Sequence, residues 1–263
     1  MQDANRDSTN GLANGLGLGN AGVFIAGVGG IGRAIAAAFA ALGARLVIVD
    51  GNAERVRQTA TELALDRAGG RALVADLCLP ERCREVVAEA NEHLGRIDVF
   101  VHAIGMNNRK PVADFTDAEW RTIVDVNLTS AFSLGQAVGK IMCAQGGGRI
   151  VFLSSVSGLL AHANHAPYAA TKGGINQMMR VMAVEWARSN VTVNAIGPGY
   201  IETPLTADYL AKPGVRAGLA ALVPAGRLGT VDDVVGPVLF LASRLAAFVT
   251  GHVLYVDGGR TLV

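Results

Sequence analysis

The sequence is short of charge: only 17% of its 263 residues are Asp, Glu, Lys or Arg, and the formal net charge is +1. No Lys/Arg-rich run upsets that balance, which argues against nucleic acid or an anionic membrane as a partner. Cysteine is scarce too. Cys78, Cys83 and Cys143 form an odd set with no Cys-x-x-Cys pair, which fits a reducing compartment better than a disulfide framework. The five histidines show no His-Glu-x-x-His or other ligand spacing, so no metal site is expected. Long apolar runs are missing as well. Stretches such as Ala34–Ala44 fall well short of the roughly 20 residues a membrane span requires. The first residues carry Asp3 and Asp7 and no apolar segment, so they do not read as a secretory signal. These absences make the cytoplasm the expected location.

What remains is a chain that is 51% hydrophobic, enough for a large packed core. Residues 1–20, rich in Asn and Gly, read as a flexible tail. Beyond them short β-branched runs recur at Val23–Ala26, Leu46–Val49, Ala72–Ala75, Val99–Val101, Ile150–Leu153, Val191–Ile196 and Val253–Val256. Helical patterns fill most of the gaps, at Ile31–Leu42, Ala53–Arg67, Glu81–His93, Asp117–Ala144, Tyr168–Arg188 and Val231–Ala242. Thr116 with Glu119 forms a capping-box signature, and Thr230 with Asp232 and Asp233 marks another helix start. The alternation predicts an α/β fold of the doubly wound, Rossmann type, with about seven parallel strands and helices on both faces. No repeat or linker divides residues 21–263, so they read as one domain. The Pro-containing stretch 200–229 is its least regular part and the expected lid over a ligand.

The first strand runs into Gly27-Val28-Gly29-Gly30-Ile31-Gly32 and then a helix. Gly27, Gly29 and Gly32 fit G-x-G-x-x-G, whose glycines permit a tight turn, close approach of a diphosphate, and close helix–strand packing. The helix start offers free N–H groups to phosphates. Asp50 ends the second strand, 18 residues beyond Gly32, near where an acid receives adenosine ribose hydroxyls. A carboxylate there repels a 2′-phosphate, so NAD is expected rather than NADP. Asp76, closing the third strand, reads either as a contact to the adenine edge or as an acid near a helix start.

Tyr168 and Lys172, four residues apart in a helical stretch, share one face. Bringing a phenol from a pKa of about 10 to near 7 takes about 4 kcal/mol. An ammonium about 4 Å away, at an effective dielectric near 20, supplies about 4 kcal/mol. Tyrosine then becomes a usable acid/base.

Several further segments occur at matching places: Leu153-Ser154-Ser155, thirteen residues before Tyr168; Asp125-Val126-Asn127; Asn194 to Gly199 with Thr203; and Thr250-Gly251-His252 to Asp257-Gly258-Gly259. With them, nearly everything after residue 20 resembles the short-chain dehydrogenase/reductase family. The resemblance implies that Tyr168 exchanges the proton, Ser155 polarises the substrate oxygen, Lys172 tunes the tyrosine and holds ribose, and Asn127 supports a water chain to Lys172. It implies that Ile201 and Thr203 fix the carboxamide, with Gly30, Ile31, Leu77, Gly105, Pro198 and Gly199 also on the cofactor side. A homotetramer is implied too. Two features depart from the family. Ala26 replaces a Thr before a glycine loop one residue shorter than usual, and His102-Ala103-Ile104-Gly105 replaces Asn-Asn-Ala-Gly.

His162, Asn164 and His165 read either as pocket residues or as a surface loop, and Arg109 reads as a solvated loop residue or a contact for an acidic substrate. Met178, Met179 and Met182 read as core or subunit interface. The expected activity interconverts a secondary alcohol and a ketone, on a sugar acid, polyol or 3-oxoacyl substrate. A nucleotide-binding scaffold without turnover is the alternative, and an epimerase or dehydratase on the same fold a third.

Overall fold

The computed structural model describes residues 15–263. Seven strands, β1 (Gly22–Ala26), β2 (Arg45–Asp50), β3 (Arg71–Val74), β4 (Val99–His102), β5 (Gly148–Leu153), β6 (Val191–Pro198) and β7 (Val253–Val256), form one sheet. Its order is β3-β2-β1-β4-β5-β6-β7, and every pairing is parallel. The order reverses between β1 and β4, where a doubly wound sheet opens a crevice at the carboxyl ends of its strands.

Among the described residues the α-helices are numbered α1 (Gly30–Ala41), α2 (Ala53–Glu62), α3 (Pro80–Leu94), α4 (Asp117–Val124), α5 (Ser130–Ala144), α6 (Ala166–Trp186), α7 (Ala207–Leu210), α8 (Val215–Ala221) and α9 (Val231–Ala242). Period-two alternation in the strands divides the core. Phe24 and Ala26 of β1 face the layer that holds Val87, Leu134 and Met179. Val23 and Ile25 face the layer of Ile35, Phe39 and Val238. Phe24 stacks on Phe100 of β4 with ring centroids 5.3 Å apart.

The two expected helix starts form full capping boxes, Thr116 with Glu119 and Thr230 with Asp233. Three expectations change. The pattern read as one helix over Asp117–Ala144 is broken by a π-turn at Asp125–Thr129, because Asn127 turns inward to bond other elements. The pattern over Ala53–Arg67 stops helically at Glu62. Ala64 takes φ 46° and sends Leu65, only 2% exposed, into the core. The stretch 200–229 is not irregular throughout. It carries α7 and α8, and its ends are stapled by Glu202 N–H to Gly229 C=O and Gly229 N–H to Tyr200 C=O, each 2.9 Å.

The expected tail lies, over residues 1–14, outside the described residues. Residues 15–20 pack on the body: Leu18 is 2% exposed, and Asn20 N–H donates to Gly43 C=O at 2.9 Å.

Candidate active site

The glycine loop builds the floor of a cleft of about 640 Å³. Gly27 takes φ 92°, and a Cβ there would lie 2.7 Å from the Ala103 carbonyl carbon; β1 and β4 end too close together for a side chain. A Cβ on Gly32 would sit 1.9 Å from the Gly27 oxygen, so α1 rests directly on the loop. Gly29 caps α1 without a side-chain bond, and the first turn holds no acid. A Cβ at Gly29 would meet nothing within 4 Å. Bare N–H groups above an open glycine floor fit a dinucleotide diphosphate.

Val28, Gly29, Gly30, Ile31 and Gly32 line the cleft, as do Gly105, Pro198, Gly199, Ile201 and Thr203. Gly27 lies beneath it. Asp50, Asp76 and Leu77 are not among the lining residues. Asp50 is 9% exposed. One of its oxygens receives Val28 N–H and the other Asn52 N–H, each at 2.9 Å. Its first task is therefore to brace the shortened loop. Asp76 receives Cys78 N–H at 3.0 Å, and Leu77 is buried. Arg33, Arg55 and Thr59 line the cleft, and no sequence motif announced them.

At the other end Ser155, Tyr168 and Lys172 line the same cleft. Ser155 follows β5, and its Oγ receives Ser157 N–H at 3.1 Å. Tyr168 and Lys172 stand one turn apart on α6. Lys172 is 3% exposed, and burial brings its pKa from 10.5 down to about 8. Its Nζ donates to the Leu153 carbonyl at 2.7 Å and lies 5.6 Å from the Tyr168 ring centroid. The Lys172 ammonium thus hydrogen-bonds a backbone carbonyl, as a buried cation needs a polar partner, and stands beside the Tyr168 ring. Burial raises the Tyr168 pKa, while the Ser155 hydroxyl and then the Arg109 charge pull it down.

Asn127 is wholly buried in the π-turn. Its Oδ1 receives Met106 N–H at 2.8 Å, and its Nδ2 donates to Met106 C=O at 3.0 Å and Thr171 Oγ1 at 3.1 Å. The same loop brings Gly105 close to Asn127 and Lys172.

His162, His165 and Arg109 all line the cleft, whereas Asn164 is exposed in the connecting loop at φ 66°. Arg109 Nε donates to His165 Nε2 at 2.7 Å, and the guanidinium lies 4.1 Å from the Tyr209 ring centroid. Burial, then the Arg109 charge, lowers the His165 pKa to about 4. Arg109 makes no ion pair with a carboxylate among the described residues. His162 bonds Ser157 Oγ and Tyr200 OH, each at 3.1 Å. Met178, Met179 and Met182 pack in or against one core layer.

Sheet order, glycine loop and the Ser155, Tyr168 and Lys172 cluster define a dinucleotide-binding α/β protein of the oxidoreductase kind. Residues 25–261 match the family model described as enoyl-(acyl carrier protein) reductase. Gluconate 5-dehydrogenase of Gluconobacter oxydans (strain 621H) is 34% identical over 233 residues, covering 89% of this chain and 91% of that protein. The 3-oxoacyl-[acyl-carrier-protein] reductase of Escherichia coli (strain K12) is 36% identical over 234 residues, covering 89% and 94%. A solved gluconate 5-dehydrogenase from Burkholderia cenocepacia J2315, in complex with NADP and tartrate, superposes with a TM-score of 0.87 at 36% identity, covering 92% and 95%. The chain belongs to the short-chain dehydrogenase/reductase family.

Proposed function

We propose that this protein is an NAD-dependent oxidoreductase that interconverts a secondary alcohol and a ketone on a small hydroxy acid of the sugar-acid kind. The convergence of Ser155, Tyr168 and Lys172 at one end of a cleft floored by glycines carries the reading. A bound nicotinamide cofactor supplies or accepts the hydride. Tyr168 gives the proton to the substrate oxygen or takes it, and Ser155 Oγ donates a hydrogen bond to that oxygen. With the cofactor bound, Lys172 would serve the phenol and the ribose, and Asn127 would hold the end of a proton path to it. Gly29, Gly30 and Gly32 would offer backbone N–H to the diphosphate, Ile201 and Thr203 would hold the carboxamide, and Gly105, Pro198 and Gly199 would line the nicotinamide end. The segment 200–229 acts as lid.

Arg109 decides among the substrate classes. Its charge is unmatched by any carboxylate among the described residues and lies in the cleft near Tyr168, which favours an anionic substrate over a neutral polyol. The tartrate held by the Burkholderia relative supports an acid. Each Asp50 oxygen retains a second acceptor site beyond its backbone N–H bond, so ribose hydroxyls remain acceptable there; Asp76 and Leu77 would meet the adenine. NADP is the second reading, favoured by Arg33 and Arg55 in the cleft wall. Arg33 is paired with Glu62 at 3.2 Å, which weakens it as a phosphate ligand. A homotetramer is supported by exposed Val181 and Val184 on α6 and Phe248 near β7. Three unpaired cysteines support the cytoplasm.

The test is a panel of sugar acids, polyols and 3-oxoacyl thioesters assayed with each cofactor by absorbance of the reduced nicotinamide. Turnover of a hydroxy acid with NAD is expected. Absence of turnover with every member would favour a binding scaffold.

A further inference from the structure

His102 stands where the resemblance leads one to expect an asparagine, and it is wholly buried at the end of β4. Its Nε2 lies 3.0 Å from Ser130 Oγ. The Ser130 hydroxyl has one proton, and its bond to the Val126 carbonyl at 2.5 Å uses it. Nε2 must then donate to Ser130, which leaves Nδ1 as a bare acceptor with no partner among the described residues. Burial, with the Lys172 charge adding to it, depresses the ring pKa to about 3, so the imidazole is neutral.

The consequence is geometric. Val126 precedes Asn127 in the π-turn, and Ser130 is the first residue of the helix that follows it. The end of β4 and the loop after it therefore grip this turn at two points: His102 through Ser130 to the Val126 carbonyl, and Met106 through both polar atoms of the Asn127 amide. A π-turn interrupts the regular ladder, and the Ser130 hydroxyl, itself held by the ring donor, bonds the Val126 carbonyl within it. We propose that His102 is a positioning residue that sets the π-turn so that the Asn127 amide faces Gly105 and Lys172. This rests on the proposed role of Asn127 and adds a residue to it.

The experiment compares kcat, cofactor KM and thermal midpoint for His102→Met, His102→Gln and Ser130→Ala, each alone and with Asn127→Ala. Methionine fills the space without a donor; glutamine restores an N–H at a similar reach. His102→Met and Ser130→Ala are expected to lower kcat by about ten- to a hundredfold, the scale of a misplacement of about 1 Å, with cofactor KM unchanged. His102→Gln should recover most of that loss, and in the Asn127→Ala background neither loss should recur. Equal losses in both backgrounds, or full kcat in a folded Ser130→Ala, would overturn the proposal. Should His102→Met fail to fold, Ser130→Ala cuts the same connection and decides alone. A fully active Asn127→Ala would instead sink the assumed role of Asn127, and the proposal with it.

Discussion

Two cations, the buried Lys172 and the exposed Arg109 at the cleft wall, set the chemistry of single residues in this site. The folded pKa of Lys172 is about 8 against 10.5 for the free group. Between those values the unfolded chain binds a proton that the folded chain has released, so stability rises with pH through that window. Below it both states are protonated, and burial of the cation costs its full amount, up to about 3 kcal/mol. Thermal midpoints measured from pH 7.5 to 9.5 should therefore rise in the wild type relative to Lys172→Met. Parallel curves would contradict the assignment. Arg109 faces the cleft beside His165 and Tyr209, and Arg109→Leu should raise KM for a hydroxy acid by about tenfold or more. That matches loss of a charge-assisted bond of about 1.5–3 kcal/mol. The KM of a neutral polyol should hardly move, and equal effects on both would remove Arg109 from substrate recognition.

At the scale of elements the glycine loop separates packing from binding. A Cβ on Gly32 collides with the Gly27 oxygen, whereas one on Gly29 projects into open space at an ordinary φ of −68°. Urea melts should show Gly32→Ala losing at least about 1–3 kcal/mol and Gly29→Ala staying within about 0.5 kcal/mol of wild type. Reduced-cofactor fluorescence should nonetheless show weaker binding for both. Tight binding by Gly29→Ala would mean that the diphosphate does not pass over this floor. The strands and α1 were legible in the sequence because burial on both faces writes itself as short apolar runs between helical patterns. The π-turn was not, because its cause is tertiary: Asn127 bonds to Met106 and Thr171 from distant segments. Nor was the early end of α2, which Leu65 imposes by turning into the core.

Over the whole molecule, the sheet gathers what is far apart in the chain. Ser155 after β5, Tyr168 and Lys172 on α6, and the glycines after β1 all line one cleft at the carboxyl ends of the strands; the glycine pattern and the Tyr168–Lys172 spacing pointed to it, and Ser155 came from the family resemblance. Spacing said nothing of the Arg109–His165 bond or of Tyr209 beside it, which depend on where loops cross. It also assigned Asp50 to ribose alone, before its grip on Val28 was visible. The segment 200–229 is tied at its base, and its interior helices carry Tyr209 onto Arg109.

Single-turnover hydride transfer by Tyr168→Phe, run beside reduced-cofactor binding to the same protein, tests the account most directly. Cofactor affinity should match the wild type while the transfer rate falls by about a hundredfold or more, the share of a positioned acid/base. An undiminished rate with cofactor bound would contradict it.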